Sequence, residues 1–512
     1  MLRPALAAMA LLSLAACAKL PDNAARPRSS APADTRDTRL GRALAGGVAA
    51  HPGKSGVLPL ANGREAFAAR ALLAEAAERS LDVQYYIYRH DTSGTLLDDA
   101  LWRAAERGVR VRLLLDDANT RGADTTLAAL DAHPNIEVRL FNPFASRALR
   151  AGDLADFSRL NRRMHNKSFT VDNQLTVVGG RNVGDEYFGA ASAVAFADLD
   201  VLLAGSAVRE VSADFDAYWN SASAYPAASL LPPVSQDETE RQRAEWKRVT
   251  AGPSAVRYVE TLGQTPLVAD LLRGKLALQW VPARIVSDDP DKVLHPPERH
   301  DLHMLPRLEQ ALGRPEKQLD LVSPYFVPTE DGAAALRALA ARGVQVRVLT
   351  NSLAATDVSP VYAGYVKYRE ALLRAGIRLY ELKRSAQRAG EREEEQPRLG
   401  GSSGASLHAK TFAVDRQRIF IGSFNFDPRS ARLNTENGVV VESAELAGRL
   451  SALFDGALAD TAYELRLTPA GDIEWIERTA AGEVRHATTP ETGVLRRLWI
   501  GFLALLPIEW LL

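Results

Sequence analysis

Two stretches of the sequence decide the fold: His165-Asn166-Lys167-Ser168-Phe169-Thr170-Val171-Asp172 and His408-Ala409-Lys410-Thr411-Phe412-Ala413-Val414-Asp415. They lie 243 residues apart and share His, Lys, Phe, Val and Asp at equivalent positions. After six further residues they continue as Gly179-Gly180-Arg181-Asn182 and Gly422-Ser423-Phe424-Asn425. A matching pattern of this length indicates a duplicated half-site rather than chance.

The duplication extends well beyond these motifs. Residues 81–86 resemble residues 319–325, and residues 107–113 resemble residues 342–348, in the same order and at offsets of 235–238. Each copy alternates strand-like and helix-like patterns, and such alternation favours parallel strands covered by helices. We therefore predict an α/β fold with two homologous lobes, each a mixed, largely parallel sheet flanked by helices, paired about a pseudo-two-fold axis.

The spacing inside each motif has a chemical meaning. Residues i and i+2 of a strand share a face, so His165 and Lys167 point the same way. Asp172-Asn173 has the composition of a turn, and Gly179-Gly180 lets the backbone approach a ligand closely. A histidine, a fixed positive charge and an amide donor on one surface suit a phosphodiester substrate.

These motifs resemble the phospholipase D superfamily, whose signature is a duplicated His-x-Lys-x4-Asp. Residues 161–169, 323–328 and 506–512 are similar to bacterial cardiolipin synthases, the C type in particular. The resemblance spans about residues 81–460 and implies that both lobes meet at one active site. It also implies that one histidine forms a phosphohistidine while the other protonates the leaving alcohol and then activates the incoming one. It implies no metal and no other cofactor.

The resemblance assigns the site residue by residue. The motif residues of the catalytic set are His165, Lys167, Asp172, His408, Lys410 and Asp415. Within that set the lysines would bind phosphate oxygens together with Asn182 and Asn425, whereas each aspartate sits on a turn that favours a structural role.

One carboxylate is expected to orient each histidine. Glu436 fits this role in the second lobe. In the first lobe we select Asp200 over Asp198, because Val201 begins an apolar strand as Gly438-Val439-Val440 does. The first lobe has Gly180 where the second has Ser423, so one hydroxyl donor is missing. The choice of nucleophile between the two histidines therefore stays open.

The N-terminus resembles that of a bacterial lipoprotein. Residues 1–16 have the basic start and short apolar run of a signal peptide, and Leu14-Ala15-Ala16-Cys17 resembles a lipobox. Cys17 would then be acylated and hold the protein in the bacterial cell envelope, facing the periplasm. Lys19 slightly favours the outer over the inner membrane. An ordinary signal peptide followed by an incidental cysteine is the alternative.

The remaining segments divide the chain. We expect a flexible tether at residues 17–45, one lobe at 46–235, the other at 236–490, and an apolar C-terminal segment at 491–512. The last segment is too short to span a bilayer. It is either an interfacial membrane segment or a helix docked on the second lobe.

The composition of the chain disfavours some classes of binding partner and of metal site. The chain has 62 Lys and Arg residues against 63 Asp and Glu residues, so general electrostatic binding to nucleic acid or to an anionic membrane is disfavoured, while a local basic site stays possible. The single cysteine excludes an intrachain disulfide and a cysteine-based metal site. His295, His300 and His303 form a cluster, but the prolines beside them and the family resemblance argue against a metal site.

The sequence thus predicts a membrane-bound phosphatidyltransferase. It would move a phosphatidyl group, with phosphatidylethanolamine as the donor suggested by the resemblance, to the hydroxyl of phosphatidylglycerol. The alternatives are a phospholipase D that makes phosphatidic acid, a nuclease of the same superfamily, and a non-catalytic lipid-binding lipoprotein. The resemblance also allows a small partner protein, and the oligomeric state is left open.

Overall fold

Two large mixed sheets form the framework of the protein. The computed structural model describes residues 19–147, 150, 156–190, 194–273, 276–384 and 404–512. The first sheet has nine strands and the second has ten. In spatial order the first contains Gln279–Val281, Ser55–Leu60, Asp200–Gly205, Leu175–Gly179, Ser168–Val171, Ser80–Tyr85, Arg110–Asp116, Ile136–Phe141 and Ala224–Pro226. The second contains Ala283–Ser287, Asn437–Glu442, Arg418–Gly422, Lys410–Val414, Gln318–Val322, Gln345–Asn351, Arg378–Leu382, Ala462–Leu467, Ile473–Thr479 and Gly482–His486.

Helices cover both sheets, so the predicted α/β class with two homologous lobes is confirmed. The helices of the first lobe are Arg39–Ala50, Gly63–Ala76, Thr92–Glu106, Asp124–Asp131, Phe157–Leu160, Asp185–Phe188, Ser206–Trp219, Gln236–Thr250, Pro253–Gly263 and Pro266–Leu272. Those of the second lobe are Met304–Leu312, Thr329–Ala341, Ser359–Arg374, Pro428–Arg432, Ala444–Ala452, Leu458–Thr461 and Val494–Ala504. Each lobe has its own apolar core. A third apolar cluster contains residues of both lobes, among them Val178 and Ile421, and joins them.

The strand directions differ from the expectation of largely parallel sheets. In the first sheet only Arg110–Asp116 runs parallel to both of its neighbours, and Gln345–Asn351 does so in the second. The other pairs within the two sheets are antiparallel, and in each sheet one of these pairs is the hairpin that contains the motif strand. Asp172 and Asn173 take φ of 50° and 49°, the left-handed backbone of a tight turn, which confirms the turn read from the sequence.

The boundary between the lobes lies near residue 282 rather than at 235/236. Gln279–Val281 pairs with the first-sheet strand Ser55–Leu60, and the next strand already belongs to the second sheet. The helix Gln236–Thr250 buries only Trp246, whose ring lies 5.7 Å from that of Trp102 in the first lobe. The rest of this helix is mostly charged, and a single buried aromatic residue packs it against the first lobe.

The prediction of a flexible tether is also wrong for residues 19–45, because this segment is hydrogen-bonded to the first lobe. Arg26 donates to the carbonyl of Asn220 at 2.7 Å, and the amide of Ala31 donates to Asp216 at 2.9 Å. Thr38 then caps the helix Arg39–Ala50. Small and polar residues without periodicity can still lie along a surface when backbone groups supply the hydrogen bonds. The signal peptide and Cys17 lie outside the described residues.

The C-terminal segment contains a docked helix. Ile500 and Leu503 of Val494–Ala504 are buried in the core of the second lobe. Within the described part of the chain, no helix combines the length and the hydropathy needed to cross a bilayer.

Candidate active site

The two motif histidines lie at the boundary between the lobes, and each is held by backbone of the other lobe. The amide of His165 donates to the carbonyl of Thr435, and the amide of His408 donates to the carbonyl of Ala197, both at 2.8 Å. Each histidine precedes a strand near the centre of its own sheet. The two half-sites therefore face each other, as the duplicated sequence predicted.

Each imidazole is paired with a carboxylate from the opposite lobe. His165 Nδ1 lies 2.7 Å from Glu436 Oε2, and His408 Nδ1 lies 2.5 Å from Asp198 Oδ2. An ionised carboxylate only accepts hydrogen bonds, so the proton of each ring is placed on Nδ1. Each Nε2 then keeps its lone pair, the tautomer that a nucleophile or general base needs.

Burial governs the charge state of these pairs. It lowers the pKa of His165 to about 4, a shift that Lys167 reinforces and Glu436 opposes. It likewise lowers the pKa of His408 to about 3. Burial raises the pKa of Asp198, but His408 and Lys410 outweigh it and leave that pKa well below its ordinary value. At neutral pH both imidazoles are therefore neutral and both carboxylates are ionised.

Two buried lysines complete the polar centre. Lys167 Nζ donates to the carbonyl of His165 at 2.5 Å, and Lys410 Nζ contacts the carbonyl of His408. Burial lowers the pKa of Lys410 to about 8 and that of Lys167 well below its usual range. Lys410 also lowers the pKa of His165 in the other lobe. Both lysines and both imidazoles thus share one electrostatic environment.

The two half-sites differ behind the carboxylates. Ser423 Oγ donates to Glu436 Oε2 at 2.5 Å. At the matching position in the first lobe, a Cβ on Gly180 would lie 2.2 Å from Asp198 Oδ1. The glycine is therefore required by the approach of Asp198, and the missing hydroxyl follows from that approach.

The two asparagines also differ. Asn182 Oδ1 accepts from the amide of Ile87 at 3.1 Å, and its Nδ2 donates to the hydroxyl of Tyr187 at 3.0 Å. Asn425 Oδ1 is buried and has no hydrogen-bond partner among the described residues. The side chain of Asn182 is thus fixed by its own lobe, whereas that of Asn425 keeps an unused polar atom.

The motif aspartates serve the fold. Asp172 accepts from the amides of Arg79 and Ser80 at 2.7 and 2.9 Å. Asp415 accepts from the amides of Lys317 and Gln318, both at 2.8 Å. Each carboxylate ties the motif hairpin to the start of the neighbouring strand. The structure therefore separates these aspartates from the histidines with which the sequence had grouped them.

Asp200 does not orient a histidine, and this sequence prediction is wrong. Its Oδ2 accepts from Arg70 at 2.9 Å, and its Oδ1 accepts from the amide of Arg181 at 3.1 Å. Asp198, two residues earlier, is the residue that reaches His408. The two acids bracket Leu199, and only Asp198 faces the other lobe.

Aromatic rings pack against both histidines. The Tyr86 ring lies 5.0 Å from that of His165, and the Tyr187 ring lies 5.2 Å from that of His408, both edge-on. Phe196 lies 5.2 Å from His408 on another side. The sequence analysis did not identify Tyr187 and Phe196 as residues of the site. The hydrogen bond that Tyr187 makes with a motif asparagine could not be read from spacing.

Two further groups of polar residues lie outside the motifs: the acidic residue Asp116 and the histidines His300 and His303. Asp116 accepts from the amide of Met164 at 2.8 Å and from Arg163 at 3.2 Å, which fixes the residues just before His165. The rings of His300 and His303 contact each other edge-on, with their centroids 5.3 Å apart. Among the described residues, no group of three or more His, Cys, Asp or Glu side chains could hold a metal ion.

Comparisons with known proteins agree with this architecture. The family described as cardiolipin synthase, PLD-like domain, matches residues 70–219 and 308–458, one match in each lobe. The chain is 48% identical to cardiolipin synthase C of Escherichia coli (strain K12), covering 93% of this chain and 100% of that protein. It is 31% identical to an uncharacterized protein of Helicobacter pylori (strain ATCC 700392 / 26695), covering 83% and 84%. Phosphatidylserine synthase of Haemophilus influenzae Rd KW20 shares the fold, with a TM-score of 0.54 and 15% identity over 83% of this chain and 92% of that one. With both lobes matched by one family and nearly half of the residues identical to one of its relatives, the chain belongs to the family of cardiolipin synthases with phospholipase D-like domains.

Proposed function

We propose that the chain is a phosphatidyltransferase that makes cardiolipin at the boundary between its lobes. The observation that carries the proposal is the reciprocal pairing of His165 with Glu436 and of His408 with Asp198. A two-step transfer needs two imidazoles with free Nε2 atoms, one as nucleophile and one as acid and base. Family membership supplies the substrate class, which is membrane phospholipids.

In the first step, Nε2 of one histidine attacks the phosphorus of the donor lipid. A P–N bond forms, the P–O bond to the headgroup alcohol breaks, and the other imidazolium gives its proton to the leaving oxygen. In the second step, the hydroxyl of phosphatidylglycerol gives its proton to that imidazole and attacks phosphorus, which breaks the P–N bond. Lys167, Lys410, Asn182 and Asn425 are assigned to the phosphate oxygens, where fixed donors stabilise the transition state.

The charges of the site support this cycle. In the free protein both carboxylates are ionised and both imidazoles are neutral, while burial lowers the pKa of both lysines. A phosphodiester brings one negative charge, and a nearby negative charge favours a protonated imidazole. Substrate binding thus supplies the reason for one histidine to become the acid.

The decisive experiment distinguishes transferase from hydrolase. Purified protein in mixed micelles of phosphatidylglycerol and phosphatidylethanolamine should make cardiolipin faster than it makes phosphatidic acid. Cells that lack cardiolipin should contain it again when they express this protein. The variant with both histidines changed to alanine is the control. Phosphatidic acid as the main product would favour a phospholipase D. Cleavage of DNA instead of lipid would favour a nuclease. Lipid binding without turnover would favour a non-catalytic lipoprotein.

The donor is proposed to be phosphatidylethanolamine, with ethanolamine as the released alcohol. Lipid labelled in the ethanolamine headgroup should release one ethanolamine for each cardiolipin formed. Equal cardiolipin yield from phosphatidylglycerol alone, with glycerol released, would show that phosphatidylglycerol is the donor.

The enzyme is proposed to be held in the cell envelope by an acylated Cys17, facing the periplasm, with the outer membrane favoured by Lys19. Cys17→Ser should abolish incorporation of a labelled fatty acid, since no other cysteine is present. Equal labelling of the variant would refute the anchor. A small partner protein is also proposed, and co-purification from the envelope with and without crosslinking tests it.

A further inference from the structure

The C-terminal helix Val494–Ala504 has two apolar faces, and only one of them is covered. Ile500 and Leu503 pack into the core of the second lobe. The opposite face exposes large apolar side chains at helical spacing: Val494, Leu495, Leu498, Trp499 and Phe502, continued by Leu505. Leu495 and Leu505 are each 83% exposed. We call these six residues the apolar face.

This concentration stands out within the described part of the chain. Fourteen large hydrophobic side chains are exposed there, and six of them fall within the twelve residues from Val494 to Leu505. The others are scattered over both lobes, as single exposed apolar residues usually are. A contiguous apolar patch on one helix is typical of a surface that binds something.

The apolar face is fixed rigidly to the rest of the molecule. Beyond the helix, Glu509 pairs with Lys367 at 2.8 Å and accepts from Tyr368 at 2.7 Å. Arg429 donates its amide to the carbonyl of Leu512 at 2.6 Å. The helix is therefore held on the second lobe in two ways: by its buried side chains and by the contacts of the residues that follow it.

The same chain end reaches the candidate active site. Arg429 donates Nε to the carbonyl of Leu511 at 3.1 Å and Nη1 to the carbonyl of Asn161 at 2.9 Å. Asn161 lies four residues before His165, and Arg429 lies seven residues before Glu436. Arg429 therefore connects the chain end that follows the apolar face to the segments that carry His165 and Glu436.

We propose that the apolar face is a docking surface for a phospholipid bilayer, which holds the active site at a fixed height at the membrane interface. This rests on the proposed function, because that function requires the enzyme to take lipids from a bilayer. Trp499 and Phe502, stacked at 5.6 Å, are side chains typical of the membrane interface. Arg496 and Arg497 flank the apolar face and are half-buried; they donate to the carbonyls of Thr356 and Thr492, respectively. A guanidinium has five N–H donors, so both can also bind anionic headgroups such as phosphatidylglycerol.

The length of the helix fixes its orientation. Eleven residues span about 16 Å, roughly half of the hydrocarbon thickness of a bilayer. The helix therefore lies in the plane of the interface with its outer face among the acyl chains, and its inner face stays packed on the second lobe.

A site-specific probe tests this contact without reading turnover. The full chain carries Cys17→Ser, so that Leu498→Cys provides the only thiol for an environment-sensitive fluorophore. Vesicles of phosphatidylglycerol and phosphatidylethanolamine should shift the emission to the blue, and acyl-brominated lipids should quench it. The control probe at Val256→Cys, on an exposed apolar position of the first-lobe helix Pro253–Gly263, should respond to neither.

A binding measurement gives the second arm. In the same Cys17→Ser background, L495Q/L498Q/F502Q should weaken partition onto these vesicles at least tenfold, while V256Q/V259Q should leave it unchanged. Turnover of short-chain lipids dispersed as monomers should match between the two variants. Unchanged partition of the triple variant, or an unresponsive Leu498 probe, would overturn the proposal even if cardiolipin is still made. Burial of the probe that rises with protein concentration in the absence of lipid would assign the surface to a second copy of the chain instead.

Discussion

Replacing Asp198 by Asn keeps the size of the side chain but should place the proton of His408 on the wrong nitrogen. Asp198 Oδ1 already accepts from the amide of Leu199 at 2.8 Å, so the carbonyl oxygen of an asparagine would stay there. Its amide nitrogen would then face His408 Nδ1, now 2.5 Å from a carboxylate oxygen. Two donors cannot share that contact, so the imidazole must carry its proton on Nε2, the atom that has to react.

The expected loss follows from this tautomer. An incorrect tautomer of a buried catalytic histidine costs about 10³–10⁴ in kcat, or about 4–5 kcal/mol at the transition state. Cardiolipin formation in mixed micelles measures kcat, and urea unfolding measures the free energy of unfolding. We expect the substitution to lower kcat strongly and to change the free energy of unfolding much less than the roughly 4–5 kcal/mol lost at the transition state.

Asp200→Asn is the matched control, since it makes the same chemical change two residues away. Asp200 and Arg70 are both fully buried, so the variant leaves a buried guanidinium without its counter-charge. We expect a loss of about 3–5 kcal/mol in the free energy of unfolding. Turnover per folded molecule should stay within tenfold. The reverse result, with kcat lost in Asp200→Asn and kept in Asp198→Asn, would refute the geometric assignment.

Three further changes test the site. His165→Ala and His408→Ala should each abolish cardiolipin formation in a folded protein, and the double variant should be no worse, because both act in one cycle; additive losses in a turnover assay would contradict a shared site. The Lys410 pKa of about 8 predicts that kcat/KM falls above pH 8 as the ammonium loses its proton. Arginine stays charged, so the pH profile of Lys410→Arg should lose this decline, and a decline unchanged by the substitution would exclude Lys410 as its source. Gly180→Ala would put a Cβ 2.2 Å from Asp198 Oδ1 and should lower kcat about a hundredfold by displacing that carboxylate; normal kcat would show that the carboxylate can move without harm.

Sequence reasoning succeeded where the signal is local and repeated. The two copies of the motif predicted two lobes and placed His165 and His408 at equivalent positions. The turn at Asp172-Asn173 was predicted because these residues tolerate the left-handed backbone that the structure shows there. Each of these features depends on a few neighbouring residues.

The choice between Asp198 and Asp200 failed although the sequence held the answer. The offset of 238 that relates Val201 to Val439 also relates Asp198 to Glu436. The sheet registers give the same alignment, since Gly179 pairs with Asp200 and Gly422 pairs with Gly438. The strand pattern was matched correctly, but the acid was then taken from the wrong side of Leu199.

Other errors concern long-range packing, which no local pattern encodes. Strand direction was inferred from alternating helices and strands, yet most strand pairs of both sheets are antiparallel, the motif hairpins among them. The crossing of the carboxylates between lobes depends on how two finished sheets meet. A contact such as His165 with Glu436 joins residues 271 positions apart and follows only from that meeting.

The crossed carboxylates also determine when the proposed site is complete during synthesis of the chain. The first sheet is complete once residue 281 has been made, but the partner of His165 is residue 436. A nascent chain that has folded its first lobe therefore carries an imidazole without its carboxylate, and the proposed transfer needs that pair. Both histidine–carboxylate pairs form when the second lobe docks, so the proposed site is completed in a single late event.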